Sequence, residues 1–170
     1  VALKHDILAF IQRFTRKERK LASRSQILSE LKMKEVEIED EESVLYEEDS
    51  AIVQLVNKII IDAYKHGASD IHIEPYTGKM NTRIRIRVDG ACRLFESIPY
   101  SLRDKIVSRV KIMADLDIVE RRKPQDGKIK FKKYGGRDIE LRVATVPTQG
   151  GLEDVVLRIL SAGEPIPLNK

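Results

Sequence analysis

The segment Arg83-Ile-Arg-Ile-Arg-Val-Asp-Gly90 alternates charged and aliphatic residues and ends in a pair of turn residues. Strict alternation predicts a strand with one buried face, because successive side chains of a strand point to opposite sides of the sheet. Asp89-Gly90 is typical of the tight turn of a β-hairpin, which requires positive backbone φ angles. We therefore expect a hairpin whose return strand passes through Cys92 and ends at Ile98.

Four further segments carry strand patterns. In residues 69–74, Ile71 and Ile73 alternate with polar neighbours before Pro75, which ends the segment. Three more candidate strands follow later in the chain, at 128–133, 138–146 and 154–160. The first two of these are joined across the glycine pair at 135–136. Short strands linked by hairpins favour a mostly antiparallel sheet.

Two segments show the three- and four-residue spacing of apolar side chains that predicts amphipathic helices. The first starts after Ser50, a candidate capping residue, and ends at Gly67. The second starts at the candidate capping pair Ser101 and Asp104 and continues to about Leu116. Because no regular β-α-β alternation is present, the predicted fold class is α+β: a mostly antiparallel sheet with helices packed on it, preceded by a short helical extension.

The composition is that of a foldable chain without a membrane span or a disulfide. With 42% apolar and 34% charged residues, the 170-residue chain is unlike collagen-like, low-complexity or disordered sequences. The sequence contains neither an apolar run of roughly 18 residues nor a secretory signal. One cysteine, Cys92, and three histidines exclude an intramolecular disulfide and a Cys/His zinc site. We therefore predict no metal site.

The net charge of +4 conceals a division of charge along the chain. Residues 1–34 carry nine Lys or Arg against three acids, whereas residues 35–50 carry nine acids and no base. We interpret 35–50 as an acidic linker, although an arm that folds onto a basic surface would have the same composition. Two short stretches of helical spacing precede this linker, around Ile11 and Leu28. Since neither could form a core alone, we interpret 1–34 as the helical remnant of a preceding domain.

The residues alone leave the chemistry open. Neither Gly78-Lys79 nor Gly127-Lys128 has the spacing of a phosphate-binding loop, so both are interpreted as turns. Asp70, His72 and Glu74 share one face of a strand, where an exposed polar face is the simpler interpretation than an acid/base or metal site. Arg83, Arg85 and Arg87 form either a solvated face or a surface that binds anions, and the sequence does not decide between them.

Several motifs together identify a family. They are Gly67-Ala-Ser-Asp-Ile-His-Ile-Glu-Pro75, Arg87-Val-Asp-Gly90, Met113-Ala-Asp-Leu-Asp-Ile-Val-Glu120, Pro124-Gln-Asp-Gly127 and Arg142-Val-Ala-Thr-Val-Pro-Thr148, followed by Val155-Val-Leu-Arg-Ile-Leu160. In this order they resemble the bacterial type II secretion and type IV pilus assembly ATPase family, over about residues 51 to 161. The resemblance implies the second N-terminal domain of that family, a PAS-like α+β module that precedes a RecA-like ATPase domain.

The resemblance also implies a division of the chain. Residues 1–34 would be the helical remnant, 35–50 the acidic linker, 51–161 the PAS-like domain and 162–170 the start of the linker to a RecA-like ATPase domain. In the family, the Walker A loop lies downstream of the match, and the sequence has no Gly-x-x-x-x-Gly-Lys-Ser/Thr. We expect no complete catalytic site and no cofactor in this fragment, and ATP with Mg²⁺ in a full-length parent ATPase.

By resemblance, the parent would be a cytoplasmic homo-hexamer, peripheral at the inner membrane through platform and anchor proteins. It would hydrolyse ATP to assemble a type II secretion pseudopilus or a type IV pilus. This fragment would be the regulatory and mechanical domain that closes on the RecA-like domain of the same or a neighbouring subunit during the ATP cycle.

Two arginines of this domain contact the nucleotide phosphates in the family, and by motif they match Arg142 and Arg158. Strand alternation places each of them opposite aliphatic neighbours, so that both guanidinium groups can leave the core and bind a phosphate. From the residues alone, a surface or intradomain salt bridge is the simpler interpretation of both arginines. The segment Gly150-Gly-Leu-Glu-Asp154 has one residue more than the family pattern, so the match is weaker at Arg158 than at Arg142.

A basic nucleic-acid-binding module is the alternative. Eight Lys or Arg residues lie between Arg121 and Arg137, and basic clusters of this kind bind nucleic acid backbones. However, these residues have no interleaved aromatic side chains suited to base stacking, apart from Phe131 and Tyr134, and no recognised reading motif is present. We therefore predict no nucleic-acid partner.

Overall fold

The computed structural model describes residues 24–34 and 41–160 of the chain. Its helices are α1 (Arg24–Lys34), α2 (Glu41–Lys65) and α3 (Arg103–Met113), with one further helical turn at Lys132–Gly135. Its strands are β1 (Asp70–Glu74), β2 (Thr82–Val88), β3 (Ala91–Ile98), β4 (Gln125–Lys130), β5 (Glu140–Pro147) and β6 (Glu153–Leu160). The stretch around Ile11, linker residues 35–40 and the predicted linker 162–170 lie outside the described residues.

The described strands form one antiparallel sheet in the order β3-β2-β1-β6-β5-β4. Strands β2 and β3 form the predicted hairpin, in which Val88 pairs with Ala91. The turn between them has φ angles of 50° at Asp89 and 77° at Gly90. The central strands β1 and β6 are far apart in sequence, so the sheet joins the two hairpin-forming halves of the domain.

One face of the sheet carries the hydrophobic core. The aliphatic residues predicted by strand alternation are buried, among them Ile71, Ile84, Ile86, Leu141 and Leu157. Buried side chains of α2 and α3 belong to the same cluster, and each fully buried aliphatic side chain contributes about 1.5 to 3 kcal/mol. The predicted α+β class, with an antiparallel sheet, packed helices and a preceding short helix, is confirmed.

Helix α1 packs on this core. Ile27, which is 2% exposed, and Leu28 are buried within the same hydrophobic cluster as the sheet. The guanidinium of Arg24 lies 3.8 Å from the centroid of the Phe95 ring, and its Nε lies 3.4 Å from the carboxylate of Asp62. Ile27 and Leu28 of helix α1 therefore share the core of the sheet domain, a contact that the sequence pattern does not indicate.

Boundaries of three predicted elements are wrong. Helix α2 begins at Glu41 and not at Ser50, so residues 41–50 of the predicted linker are helical; acidic residues in a first turn suit the helix dipole. Helix α3 ends at Met113, and not at about Leu116, because Asp115 has a φ of 57°. Its N-cap is Leu102, which makes no side-chain capping bond, and not the predicted pair Ser101 and Asp104. Strand β4 ends at Lys130, ahead of the helical turn. The division into domains stays a prediction.

Within residues 24–34 and 41–160, no helix is both long enough and apolar enough to cross a bilayer.

Candidate functional site

A row of charged side chains crosses the polar face of the sheet. The residues that pair directly across adjacent strands are, in order, Lys128, Arg142, Arg158, Asp70 and Arg87. We call these five residues the charged row. Because adjacent strands lie about 4.8 Å apart, long cationic side chains in this row can reach a common ligand.

Arg142 and Arg158 occupy neighbouring positions of the charged row. They are directly opposite each other on β5 and β6, and both are exposed between buried neighbours on their strands. The strand alternation therefore predicted their orientation correctly. A 3₁₀ turn at Gln149–Gly151 precedes β6, and Gly150 and Gly151 have φ angles of 73° and 72° there. With this turn, the longer segment before β6 still places Arg158 opposite Arg142.

A groove of about 600 Å³ lies beside these two arginines. It is lined by Asp126, Gly127, Lys128, Arg142, Val143, Ala144, Val156 and Arg158. Ala144 and Val156 pair with each other next to the two arginines and form a floor of small apolar side chains. Its volume is within the range of small-molecule sites, roughly 300 to 1,000 Å³. Three cations and one acid on its walls favour an anionic ligand.

Arg158 is anchored by the carboxylate of Asp70. Its Nε donates to Asp70 Oδ1 at 3.0 Å, and Arg87 Nε lies 3.3 Å from Asp70 Oδ2. Ser69 Oγ donates to Asp70 Oδ2 at 2.8 Å. Burial alone would raise the pKa of Asp70, but the hydrogen bonds from Arg158 and Ser69 and the charges of Arg158 and Arg87 outweigh it, so this pKa lies below its ordinary value.

Arg142 has a different environment. Among the residues that the structure describes, no carboxylate lies within 4 Å of its guanidinium, and the nearest members of the charged row are the cations Lys128 and Arg158. Lys128 has an acidic partner, Glu140, at 3.7 Å. Like charges directly opposite each other in a sheet destabilise it, so an anion between Arg142 and Arg158 would relieve the repulsion. Guanidinium groups bind phosphate oxygens in pairs.

Two further arginines of this face, Arg83 and Arg85, have partners in the described part of the chain. Arg85 donates to Glu74 at 3.1 Å, and the guanidinium of Arg83 lies 5.2 Å from the centroid of the Tyr76 ring. In the sequence, Arg83, Arg85 and Arg87 were candidates for either a solvated or an anion-binding face; in the structure, acids partner Arg85 and Arg87. Within the described ranges, no three ligating side chains meet at a potential metal site.

Sequence reasoning missed the connection between Asp70 and Arg158. The sequence places Asp70 with His72 and Glu74 on one strand face, and nothing in it indicates a partner on β6. The order of the motifs places the Asp70 segment and the Arg158 segment at opposite ends of the domain, so it gives no signal of this contact. The pairing depends on β1 lying next to β6 in the sheet.

Comparison with known protein families gives a match over residues 46–168, to the family described as type II/IV secretion system protein. The chain belongs to this family. The resemblance drawn from the sequence motifs is confirmed.

Curated relatives carry the names of both branches of this family. The type IV pilus assembly ATPase PilB of Myxococcus xanthus is 50% identical over 113 residues, 66% of this chain and 19% of that protein. PilB of Thermus thermophilus is 38% identical over 98% of this chain and 18% of its own length. The type II secretion system ATPase E of Vibrio cholerae is 46% identical over 72% of this chain and 24% of its own length. The chain thus spans about a fifth of these family members.

Proposed function

We propose that this chain is an N-terminal regulatory and mechanical domain of a hexameric ATPase that powers assembly of a type II secretion pseudopilus or a type IV pilus. Its membership of the secretion family and the names of its relatives, which are secretion and pilus ATPases, support this proposal. The domain closes on a RecA-like ATPase domain of the same or a neighbouring subunit during the ATP cycle. That ATPase domain holds ATP and Mg²⁺, and the assembly is cytoplasmic and reaches the inner membrane through platform and anchor proteins.

The observation that carries the proposal is the adjacent placement of Arg142 and Arg158 beside the groove. When the domain closes, the two guanidinium groups approach the phosphates of a nucleotide bound by the ATPase domain. Two planar forks side by side can each contact two phosphate oxygens. Charge that develops on the transferred phosphoryl group is then neutralised from this domain, while the phosphate-binding loop and the metal remain on the other.

This arrangement links domain position to hydrolysis. In the open state the nucleotide lacks both arginine contacts, and in the closed state it gains them. Because binding of the phosphates is stronger in the closed state, ATP shifts the population towards closure. Loss of the γ-phosphate removes that difference and releases the domain, which gives the movement that a pilus-assembly motor needs.

Substitution of Arg142 in the full-length hexameric ATPase tests the proposal. Arginine fingers elsewhere contribute roughly 10³ to 10⁵ in rate, so Arg142→Ala should lower kcat severely. Arg142→Lys retains the charge but loses the planar fork and should also be slow. Arg83→Ala, a change to an exposed arginine on the same face but outside the groove, should leave the rate unchanged. Near-parental rates in both Arg142 variants, with hexamers intact, would overturn the proposal.

A further inference from the structure

We propose that Asp70 is a positioning residue that orients the guanidinium of Arg158 towards the groove. This inference rests on the proposed function, because it assigns the part of the site that sets the geometry of one phosphate contact. The hydrogen bond from Arg158 Nε to Asp70 Oδ1, at 3.0 Å, joins strand β6 to the neighbouring strand β1.

The atom that Asp70 binds determines what remains available on Arg158. A guanidinium has five N–H donors in a fixed planar fork. With Nε–H held by Asp70, the donors of Nη1 and Nη2 stay at the outer end of the fork. The Arg158 side chain is 67% exposed, and its Nη atoms make no hydrogen bond within the described residues. The outer edge of the fork is therefore presented for a bidentate contact with phosphate oxygens.

Asp70 is itself fixed from the other side. It is 5% exposed on a central strand of the sheet. Its second carboxylate oxygen accepts from Ser69 Oγ at 2.8 Å and lies 3.3 Å from Arg87 Nε. With both oxygens engaged, the carboxylate cannot follow a moving Arg158 side chain. An arginine held at Nε retains less rotational freedom, so it loses less on binding an anion.

Asp70 acts on Arg158 and not on Arg142. The two arginines pair across β5 and β6, but only Arg158 has an acid beside it in the charged row. A carboxylate that merely offset positive charge would weaken the attraction of the groove for anions. An anchoring carboxylate also weakens that attraction, but it gives the Arg158 guanidinium a defined orientation. Removal of the Asp70 charge should therefore improve catalysis if Asp70 only offsets positive charge, and impair catalysis if Asp70 orients Arg158.

The first test uses this chain alone and reads the orientation of Arg158 by NMR. In the parent chain, the Arg158 Nε–H resonance, assigned with Arg158→Lys, should exchange slowly with solvent. In Asp70→Asn, exchange should accelerate at least tenfold. The matched control is Glu74→Gln, on the same strand and face, which should affect Arg85 and leave Arg158 unchanged. Equal exchange of Arg158 in the parent and Asp70→Asn would overturn the anchoring.

If Asp70→Asn does not fold, Ser69→Ala replaces it, because that change removes the hydrogen bond that supports the Asp70 carboxylate, together with a 3.5 Å contact to the carbonyl oxygen of Arg87, and keeps the carboxylate itself. The anchored geometry predicts an intermediate increase in Arg158 exchange in this variant. No change in Ser69→Ala would contradict the proposal that a fixed Asp70 carboxylate restrains Arg158.

The second test uses the full-length ATPase and a double-mutant cycle. In the parent ATPase, Asp70→Asn should lower kcat about tenfold. In the Arg158→Ala variant, the same change should lower kcat little further, since Asp70 acts through Arg158. A higher kcat or lower KM in Asp70→Asn would show simple charge neutralisation and overturn the positioning role. If Arg158→Ala itself leaves kcat unchanged, the proposed nucleotide contact fails, whereas a slow Arg158→Ala with a normal Asp70→Asn removes Asp70 alone.

Discussion

At the scale of single residues, the carboxylate of Asp70 couples the stability of the domain to pH. Its pKa in the folded domain lies below the ordinary value of 3.8, so the charged form is favoured by folding. The stabilisation is present above that ordinary value and is lost as the pH falls through the lowered pKa. Arg158 and Arg87 are the charges that face it, with His72 and Glu74 next along the strand.

Asp70→Asn should therefore reduce the loss of stability in acid. The free energy of unfolding, measured with urea at pH 7 and at about pH 3, should fall less in this variant than in the parent domain. Asp138→Asn, a change at an exposed acid, serves as the control and should retain the parental difference. The same acid-induced loss in Asp70→Asn and the parent would contradict the coupling.

Residue environments were only partly predictable. Alternation in β5 and β6 placed Arg142 and Arg158 on the polar face because a strand has two faces and the other is aliphatic. By contrast, Lys111 is 1% exposed, and its Nζ lies 2.6 Å from Glu153 and donates to the carbonyl oxygen of Glu120 at 2.7 Å. No local pattern signals such a buried ion pair, since its acidic partner is supplied by a distant strand.

At the scale of elements, the packing of helix α1 determines whether the sheet domain begins before residue 34. Ile27 lies within the shared hydrophobic cluster, although the sequence suggested that residues 1–34 belong to a preceding domain. Ile27→Ala should lower the free energy of unfolding of the sheet domain by about 2 to 5 kcal/mol, the usual effect of such a core truncation. A urea unfolding curve followed through a probe on the sheet gives the measurement.

The control is Ser29→Ala, an exposed position on the same helix, where a change within about 0.5 kcal/mol is expected. An unchanged unfolding curve for Ile27→Ala would show that α1 is only tethered to the domain.

The periodicity of the sequence predicted the types of the main helices and strands, but it did not predict where they end. The acidic run 35–50 has the composition of a linker, yet residues 41–50 form the first part of helix α2.

At the scale of the whole molecule, the order of strands brings the site together. Arg142 and Arg158 are adjacent only because β5 pairs with β6 in this register, and Asp70 joins them only because β1 lies on the other side of β6. Alternation predicts the face of a residue but not its partner across the sheet. The family resemblance indicated Arg142 and Arg158, whereas the carboxylate of Asp70 and the groove are apparent only from the fold.

We propose that this domain presents two arginines to a nucleotide held elsewhere in an ATPase hexamer. The most direct measurement is a structure of the full-length hexamer with a non-hydrolysable ATP analogue and Mg²⁺. We expect closed subunits in which nitrogens of Arg142 and Arg158 lie about 2.7 to 2.9 Å from phosphate oxygens, with Asp70 still bound to Arg158 Nε. A nucleotide fully coordinated in closed subunits while both arginines face solvent would contradict it.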